Sequence, residues 1–167
     1  MKKLVLMLMM FAPLATFAQQ KFGHLNVQEV VQSLPEFIKA QGEVESQAKI
    51  YDSELKQMAD ELQRKSDEYQ KAASTMPEAK KKETETELQT LYQKYQQAQQ
   101  DDAAAVQKLQ QEKLAPIQTK LQNAIKNVGD RGKYVYIMDI GAGIPYVSTT
   151  LSTDVTAEVK AEIAKLK

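Results

Sequence analysis

The sequence predicts an α+β fold: a small sheet built from both chain ends, carrying a long antiparallel coiled-coil hairpin. Three observations carry this expectation. Apolar residues step by alternating threes and fours through the middle of the chain. A short break, Ser74-Thr75-Met76-Pro77-Glu78, splits that pattern into two arms. β-rich runs occur only near the two ends, where glycine and proline punctuate them.

Length and composition bound the rest. The 167 residues suffice for one domain with an extension. Lys+Arg and Asp+Glu balance at 22 each, which argues against a nucleic-acid partner. The absence of Cys excludes disulfides, thiolate metal sites, a Cys nucleophile and a lipidated N-terminal Cys. A single histidine, His24, leaves little room for imidazole catalysis. The inventory predicts a protein that is not an enzyme and needs no cofactor or metal.

The chain opens with Met1-Lys2-Lys3, an almost wholly apolar run from Leu4 to Leu14, and Ala15-Thr16-Phe17-Ala18. That is the pattern of a cleavable secretory signal over residues 1–18, cut after Ala18. The apolar run is 11 residues long, against the roughly 20 that a spanning helix needs. The expected mature chain of 149 residues carries 20 Lys+Arg against 22 Asp+Glu. It is expected to be soluble and exported; in a Gram-negative cell that means the periplasm, where work must run on binding energy without ATP.

The first arm places Leu34, Phe37, Val44, Ala48, Tyr51, Leu55, Met58, Leu62, Tyr69, Ala72 and Met76 on one a/d seam, interrupted by Gln41 and Lys65. At the break, Thr75 or Ser74 is the expected N-cap of the second arm, with Pro77 and Glu78 in its first turn. The second seam runs Leu88, Leu91, Tyr95, Ala98, Ala105 and Leu109, with Asp102 at one seam position. It then slips to Leu114, Ile117, Leu121, Ala124 and Val128, and Pro116 inside this stripe predicts a kink near 112–116. Gly129-Asp130-Arg131-Gly132 is expected to end the helix. The hairpin is thus expected over 35–128, with its tip near 74–82.

The body is expected from 19–34 and 129–167. Phe22 to Val27 reads as a strand, and Asn26 to Ser33 as a short helix capped by Asn26. Tyr134 to Ile140 is a second strand, and Ile144 to Ser148 is expected to be a third after the Gly141-Ala142-Gly143 turn. Ser152-Thr153-Asp154 should cap a final helix, Val155 to Leu166. So small a unit leaves open strand edges, so a homo-oligomer formed through the sheets is expected. Phe22, Leu25, Val135, Ile137, Tyr146 and Val147 are the residues assigned to that association.

Motifs that suggest chemistry fail on their spacing. Gly132-Lys133 lacks the P-loop's earlier glycine and following Ser or Thr, because Asn127 and Tyr134 occupy those places. Gly141-x-Gly143 lacks the third glycine of a dinucleotide fingerprint, where Tyr146 stands. Carboxylates of the hairpin sit beside lysines at helical spacing, as Glu61 and Lys65 do. The remaining signals concern binding. Lys71, Lys80, Lys81 and Lys82 flank the tip, either as an ordinary solvated helix start or as an electrostatic contact for an anionic membrane surface or an acidic client. Ile38, Ile50, Tyr92 and Val106 lie off the seams, either widening the helical core or forming scattered apolar spots on a polar wall. Ile50, Tyr92 and Val106 are the candidate wall contacts.

In its order of segments the chain resembles the Skp/OmpH family of periplasmic chaperones. Phe22 to Glu36 (FGHLNVQEVVQSLPE) is similar to the family's opening strand and short helix. The hairpin around Ser74-Thr75-Met76-Pro77 is similar to its tentacle, and Tyr134 to Asp139, Tyr146-Val147 and Ser152 to Thr156 to its closing strands and last helix. The resemblance implies a jellyfish-shaped homotrimer with a small β-barrel body and three tentacles around a cavity. It also implies an ATP-independent holdase for unfolded outer-membrane β-barrel proteins. The chain departs from the family's better-known members at Gly141 to Pro145, which have a more polar turn there, and in charge: 35–128 carries 14 Lys+Arg against 16 Asp+Glu. The competing reading is a structural adaptor whose hairpin docks onto an envelope or efflux assembly.

Overall fold

The computed structural model describes residues 20–166. The expected signal segment, 1–18, lies outside them. In chain order the elements are β1 (Lys21–Leu25), α1 (Val27–Gln32), α2 (Pro35–Ala72), α3 (Glu78–Gly132), β2 (Tyr134–Asp139), a 3-10 turn (Ile140–Ala142), β3 (Ser152–Asp154) and α4 (Thr156–Ile163).

α2 and α3 form the expected antiparallel hairpin. At 1.5 Å per residue their 38 and 55 residues extend about 57 and 82 Å. Pairs across the arms fix the direction: Glu36 meets Lys120, Glu43 meets Lys113, Lys65 meets Glu87 and Tyr69 meets Glu85. As numbers rise on one arm they fall on the other. The excess length of α3 passes the start of α2 and enters the body, where Ile117, Leu121, Ala124 and Val128 join Leu25, Val30, Leu34, Val155, Val159 and Ile163 in the core. The slipped stripe of the second arm thus spans the base of α2, where Leu114 lies beside Phe37 and Ala40, and continues past it into the body. α3 runs unbroken through Pro116, whose missing N–H falls on an exposed position.

The break between the arms differs in its cap. Pro77 occupies the N-cap position of α3, and no side chain accepts from the first turn. Thr75 Oγ1 instead donates to Ala72 O at 3.1 Å, closing the end of α2. A threonine three residues before a helix can serve either end, and here the chain has already turned through a hydrogen bond from Thr75 N to Ala72 O. At the other end α3 uses all four residues of the expected terminator and stops when Lys133 takes a left-handed conformation, φ 54°.

The sheet is three-stranded, open and entirely parallel, in the order β2-β1-β3. Its parallel β1–β2 pair needs a long crossover, and the whole hairpin supplies it. Asn26 caps α1 as expected, accepting from Glu29 N at 3.0 Å. The third strand is Ser152–Asp154 and not Ile144 to Ser148. Pro145 cannot donate to a ladder, Gly143 turns the chain at φ 83°, and the free edge of β1 is taken by Ser152–Asp154. Tyr146 and Val147 thus lie in an irregular connection. α4 is shorter than expected, Thr156–Ile163, and Asp154 holds its start by accepting from Thr156 N at 2.8 Å.

Candidate functional site

Two surfaces could do work: the long hairpin, and the sheet face that the helices leave bare. Within one chain no three His, Cys, Asp or Glu among the described residues could hold a metal, and no described helix is long and apolar enough to cross a membrane.

Burial along the hairpin is uneven. All of the expected a/d positions on both arms except Gln41 are at least partly shielded, yet between 41 and 116 no side chain is fully buried. Two helices alone enclose one thin seam, and here alanines (Ala48, Ala98, Ala105) and polar residues (Lys65, Asp102) fill much of it. The outside is held in helix by pairs one turn apart, including Glu45–Lys49 at 2.7 Å, Lys56–Asp60 at 2.6 Å and Arg64–Glu68 at 2.7 Å. Near the body the arms are clamped by Glu36–Lys120 at 2.8 Å and Glu43–Lys113 at 2.5 Å. The Lys120 hydrogen bond holds the Glu36 carboxyl below its ordinary range, and Lys113 does the same for Glu43. These pairs border an open groove of about 620 Å³ at the hairpin base, floored by Ala40, Ile117 and Leu166.

The candidate wall residues divide. Ile50 and Tyr92 stand half exposed at 50% and 49%, and Tyr92 borders a shallow inter-arm depression with Leu62, Leu88 and Tyr95. Val106 is more shielded and shares a shallow inter-arm depression with Ala48, Tyr51 and Leu55. Ile38, at 60%, adds an apolar spot close to the body. The candidate tip lysines also divide. Lys80 pairs with Glu83 at 2.9 Å, which raises its pKa, and Lys81 approaches Glu78 at 3.9 Å. Lys71 and Lys82 are exposed and make no ion pair among the described residues. Farther down, Lys65 meets Glu87, and Tyr69 donates to Glu85. The carboxylates that neutralise the tip come from the same helical turns as the lysines, so a count of lysines alone overstates its charge.

The body presents the larger apolar surface. Helices cover one face of the sheet, on which Gly23, Leu25 and Ile137 lie; Leu25 is 1% exposed and Ile137 packs against the core. Of these two candidate association residues, Leu25 is therefore inside the chain's own core and Ile137 is half-buried against it. A bulge at Lys21/Phe22 leaves Val135 outside the ladder and brings Phe22 opposite Tyr136. The two rings stack with centroids 5.4 Å apart. Tyr136, 56% exposed, and Met138, 52%, continue along this bare face, and Tyr146 and Leu151 of the following connection are more exposed still. Tyr136, Met138 and Leu151 were not among the expected association residues. β2 is apolar almost throughout, so its sequence does not tell the inward side from the outward one, and the bulge shifts the alternation besides.

Comparison with known proteins agrees with this architecture. The family model for "Outer membrane protein (OmpH-like)" matches residues 21–163, from β1 to the end of α4. The chaperone protein Skp of Yersinia enterocolitica is 28% identical over 153 residues, covering 89% of each chain. The crystal structure of the OmpH-like protein of Caulobacter crescentus CB15 superposes with a TM-score of 0.75 at 17% identity, over 90% of this chain and 88% of that one, and so shares the fold. By a match that takes in the sheet, both arms and the closing helix, the chain belongs to the OmpH-like outer membrane protein family, that of the chaperone Skp.

Proposed function

We propose that this protein is an ATP-independent periplasmic holdase that binds unfolded outer-membrane β-barrel proteins and keeps them from aggregating in transit. The observation that carries the reading is the hairpin: a reach of about 57 Å along α2, with no side chain of either arm between 41 and 116 buried and small, shallow apolar spots dispersed on a polar wall. A barrel protein in transit exposes alternating apolar residues and unpaired strand edges. A wall of dispersed weak contacts, Ile50 and Tyr92 among them, shields such a chain without gripping any one sequence. Several arms acting together multiply those contacts while each still releases quickly, so no ATP is needed for discharge.

The bare sheet face supplies the means of gathering arms. Phe22, Tyr136 and Met138, with Val135 beside them, form an apolar surface of the kind that subunits cover, and Tyr146 is exposed in the connection that follows. Three copies joined there close their open sheets into one barrel-like body, with the helices outside and the hairpins projecting around a cavity. Ile144 to Ser148, unpaired within its own chain, is then free to border a neighbouring sheet. Lys71 and Lys82 at the tips give a peripheral contact with anionic membrane.

Sedimentation of the mature protein, alone and after dilution of a urea-unfolded outer-membrane barrel protein into it, tests the reading. The expected result is a trimer that gains one client mass and leaves no pellet. A species that ignores the client while the barrel protein precipitates refutes it, and points to an adaptor that binds a folded partner.

A further inference from the structure

His24 stands at the centre of the bare sheet face. β1 is the middle strand, and His24 is in register with Met138 on β2 and with Asp154 on β3. Its Nδ1 lies 2.8 Å from Ser152 Oγ, and Nε2 has no hydrogen-bond partner among the described residues. Any copy of the chain that covers this face closes over that nitrogen, and a buried polar atom needs a partner. Of the chain's own side chains around it, Phe22 and Met138 have no donor to offer, and neither the Tyr136 hydroxyl nor the Asp154 carboxylate makes a hydrogen bond to it.

We propose that the three His24 rings of the assembled protein, one from each copy, bind a divalent transition-metal ion, zinc foremost, on the symmetry axis. The site rests on the trimer reading above and is incomplete in a single chain. Threefold closure sets equivalent residues at equal distances from the axis, and a mid-strand residue on the enclosed face points toward the middle. In the tautomer that carries its proton on Nδ1 the ring donates to Ser152 Oγ, which leaves the Nε2 lone pair free and fixes the ring plane. That division of labour, one nitrogen to the metal and the other to an outer hydrogen bond, is the usual one for metal-binding histidines. Three imidazole nitrogens at about 2.0–2.1 Å and one water complete a tetrahedral zinc.

The charge of the surroundings favours a cation. Asp154 lies beside His24 on the same face, and its hydrogen bonds from Thr156 hold its carboxyl below the ordinary range. Three such carboxylates ring the enclosed space, and no lysine or arginine belongs to the β1, β2 or β3 positions that share the face with His24.

The test is a titration of chelator-treated mature protein with zinc chloride, followed by calorimetry and sedimentation. The expected result is saturation at one zinc per three chains. His24→Leu, which suits the apolar face, should sediment as a trimer and lose the binding. Ser152→Ala keeps the ring but removes its orienting hydroxyl, and should weaken binding about tenfold to a hundredfold. A trimer that takes up no zinc, equal uptake by His24→Leu, or unchanged affinity in Ser152→Ala overturns the site and leaves the assembly standing. A monomer overturns the assembly and the site with it.

Discussion

Replacing Gly132 by alanine puts a methyl group where the ring of Tyr134 already stands. A Cβ at Gly132 would lie 2.3 Å from Tyr134 Cε2 and 2.6 Å from Cδ2. The ring cannot simply move aside, because its other edge borders a second glycine. A Cβ at Gly23 would meet Tyr134 Cδ1 at 3.3 Å and Ile137 Cγ1 at 3.0 Å. Tyr134 is thus wedged between the last turn of α3 and the middle of β1, and the two glycines make the wedge. Two effects compete in Gly132→Ala. Alanine is favoured over glycine in a helix by about 1 kcal/mol. Overpacking that displaces a half-buried ring costs about 1–3 kcal/mol. The net expectation is a loss of up to about 2 kcal/mol by those two terms. Gly42→Ala is the control, since nothing lies within 4 Å of a Cβ there and the site is exposed in α2. That variant should gain up to about 1 kcal/mol. Urea unfolding at a fixed protomer concentration, followed by circular dichroism, reads both. In a Tyr134→Ala background Gly132→Ala should turn from destabilising to neutral or better, which isolates the clash from any other cost. If Gly132→Ala stabilises as much as Gly42→Ala, the wedge is not what joins helix to sheet.

Four other outcomes follow from the same geometry. Ile50→Asp combined with Tyr92→Ser should lower the amount of unfolded barrel protein kept in solution per arm while leaving the sedimentation of the free protein unchanged; undiminished protection would remove both residues from the wall. Tyr136→Asp places a charge on the bare sheet face beside Phe22, and the mass in solution should fall to that of one chain; an unchanged mass moves the interface elsewhere. Replacing Lys80, Lys81 and Lys82 with Gln should reduce affinity for an acidic client at low salt and flatten its salt dependence. Because Lys80 and Lys81 are already paired with Glu83 and Glu78, most of that change should come from Lys82 alone, and an equal contribution from all three would contradict the pairing. Glu162, 8% exposed, accepts from Arg131 and Asn127 and ties α4 to α3. Arg131 lowers its pKa, so its stabilisation is full above the ordinary carboxylate range and fades as pH falls through the lowered value. The thermal midpoint of Glu162→Gln should therefore fall less on acidification than that of the unaltered protein, and parallel pH curves would refute the assignment.

How far the sequence led depended on whether a feature is local. The seam of both arms was legible because a heptad repeats its message many times, and every named position except the surface-facing Gln41 is shielded. The slip after Leu109 was legible too, and it begins the stretch of α3 that runs past the base of α2, where Lys113 and Lys120 still meet Glu43 and Glu36, into the body core. The third strand was not. Ile144 to Ser148 has the side chains of a strand, but strands exist by pairing, and the edge of β1 pairs with the short polar Ser152–Asp154. Nor was the outward side of β2, since its parity turns on a bulge where Val135 drops out of register. The cross-arm pairs Lys65–Glu87 and Tyr69–Glu85 needed the register of two helices some twenty residues apart, which no single segment encodes.

The uneven burial of the hairpin has a mechanical meaning. Near the body Ala40, Ile117, Leu121 and the Glu36–Lys120 and Glu43–Lys113 clamps set the angle at which the arms leave the sheet. Beyond them, alanine, lysine and aspartate at seam positions give each turn little apolar area to hold the helices together, and the energy of opening locally falls with that area. A seam of leucines throughout would be stiffer and no harder to encode. The composition instead yields a fixed root and a compliant outer arm. On the proposed holdase reading, compliance suits a container of variable contents, because clients differ in size while the body does not. It also lowers the grip of each contact, since a wall that yields cannot press a client into one pose. On that same reading, release without ATP needs no separate device: the weakness of the seam and the dispersion of Ile50 and Tyr92 along it keep every contact reversible.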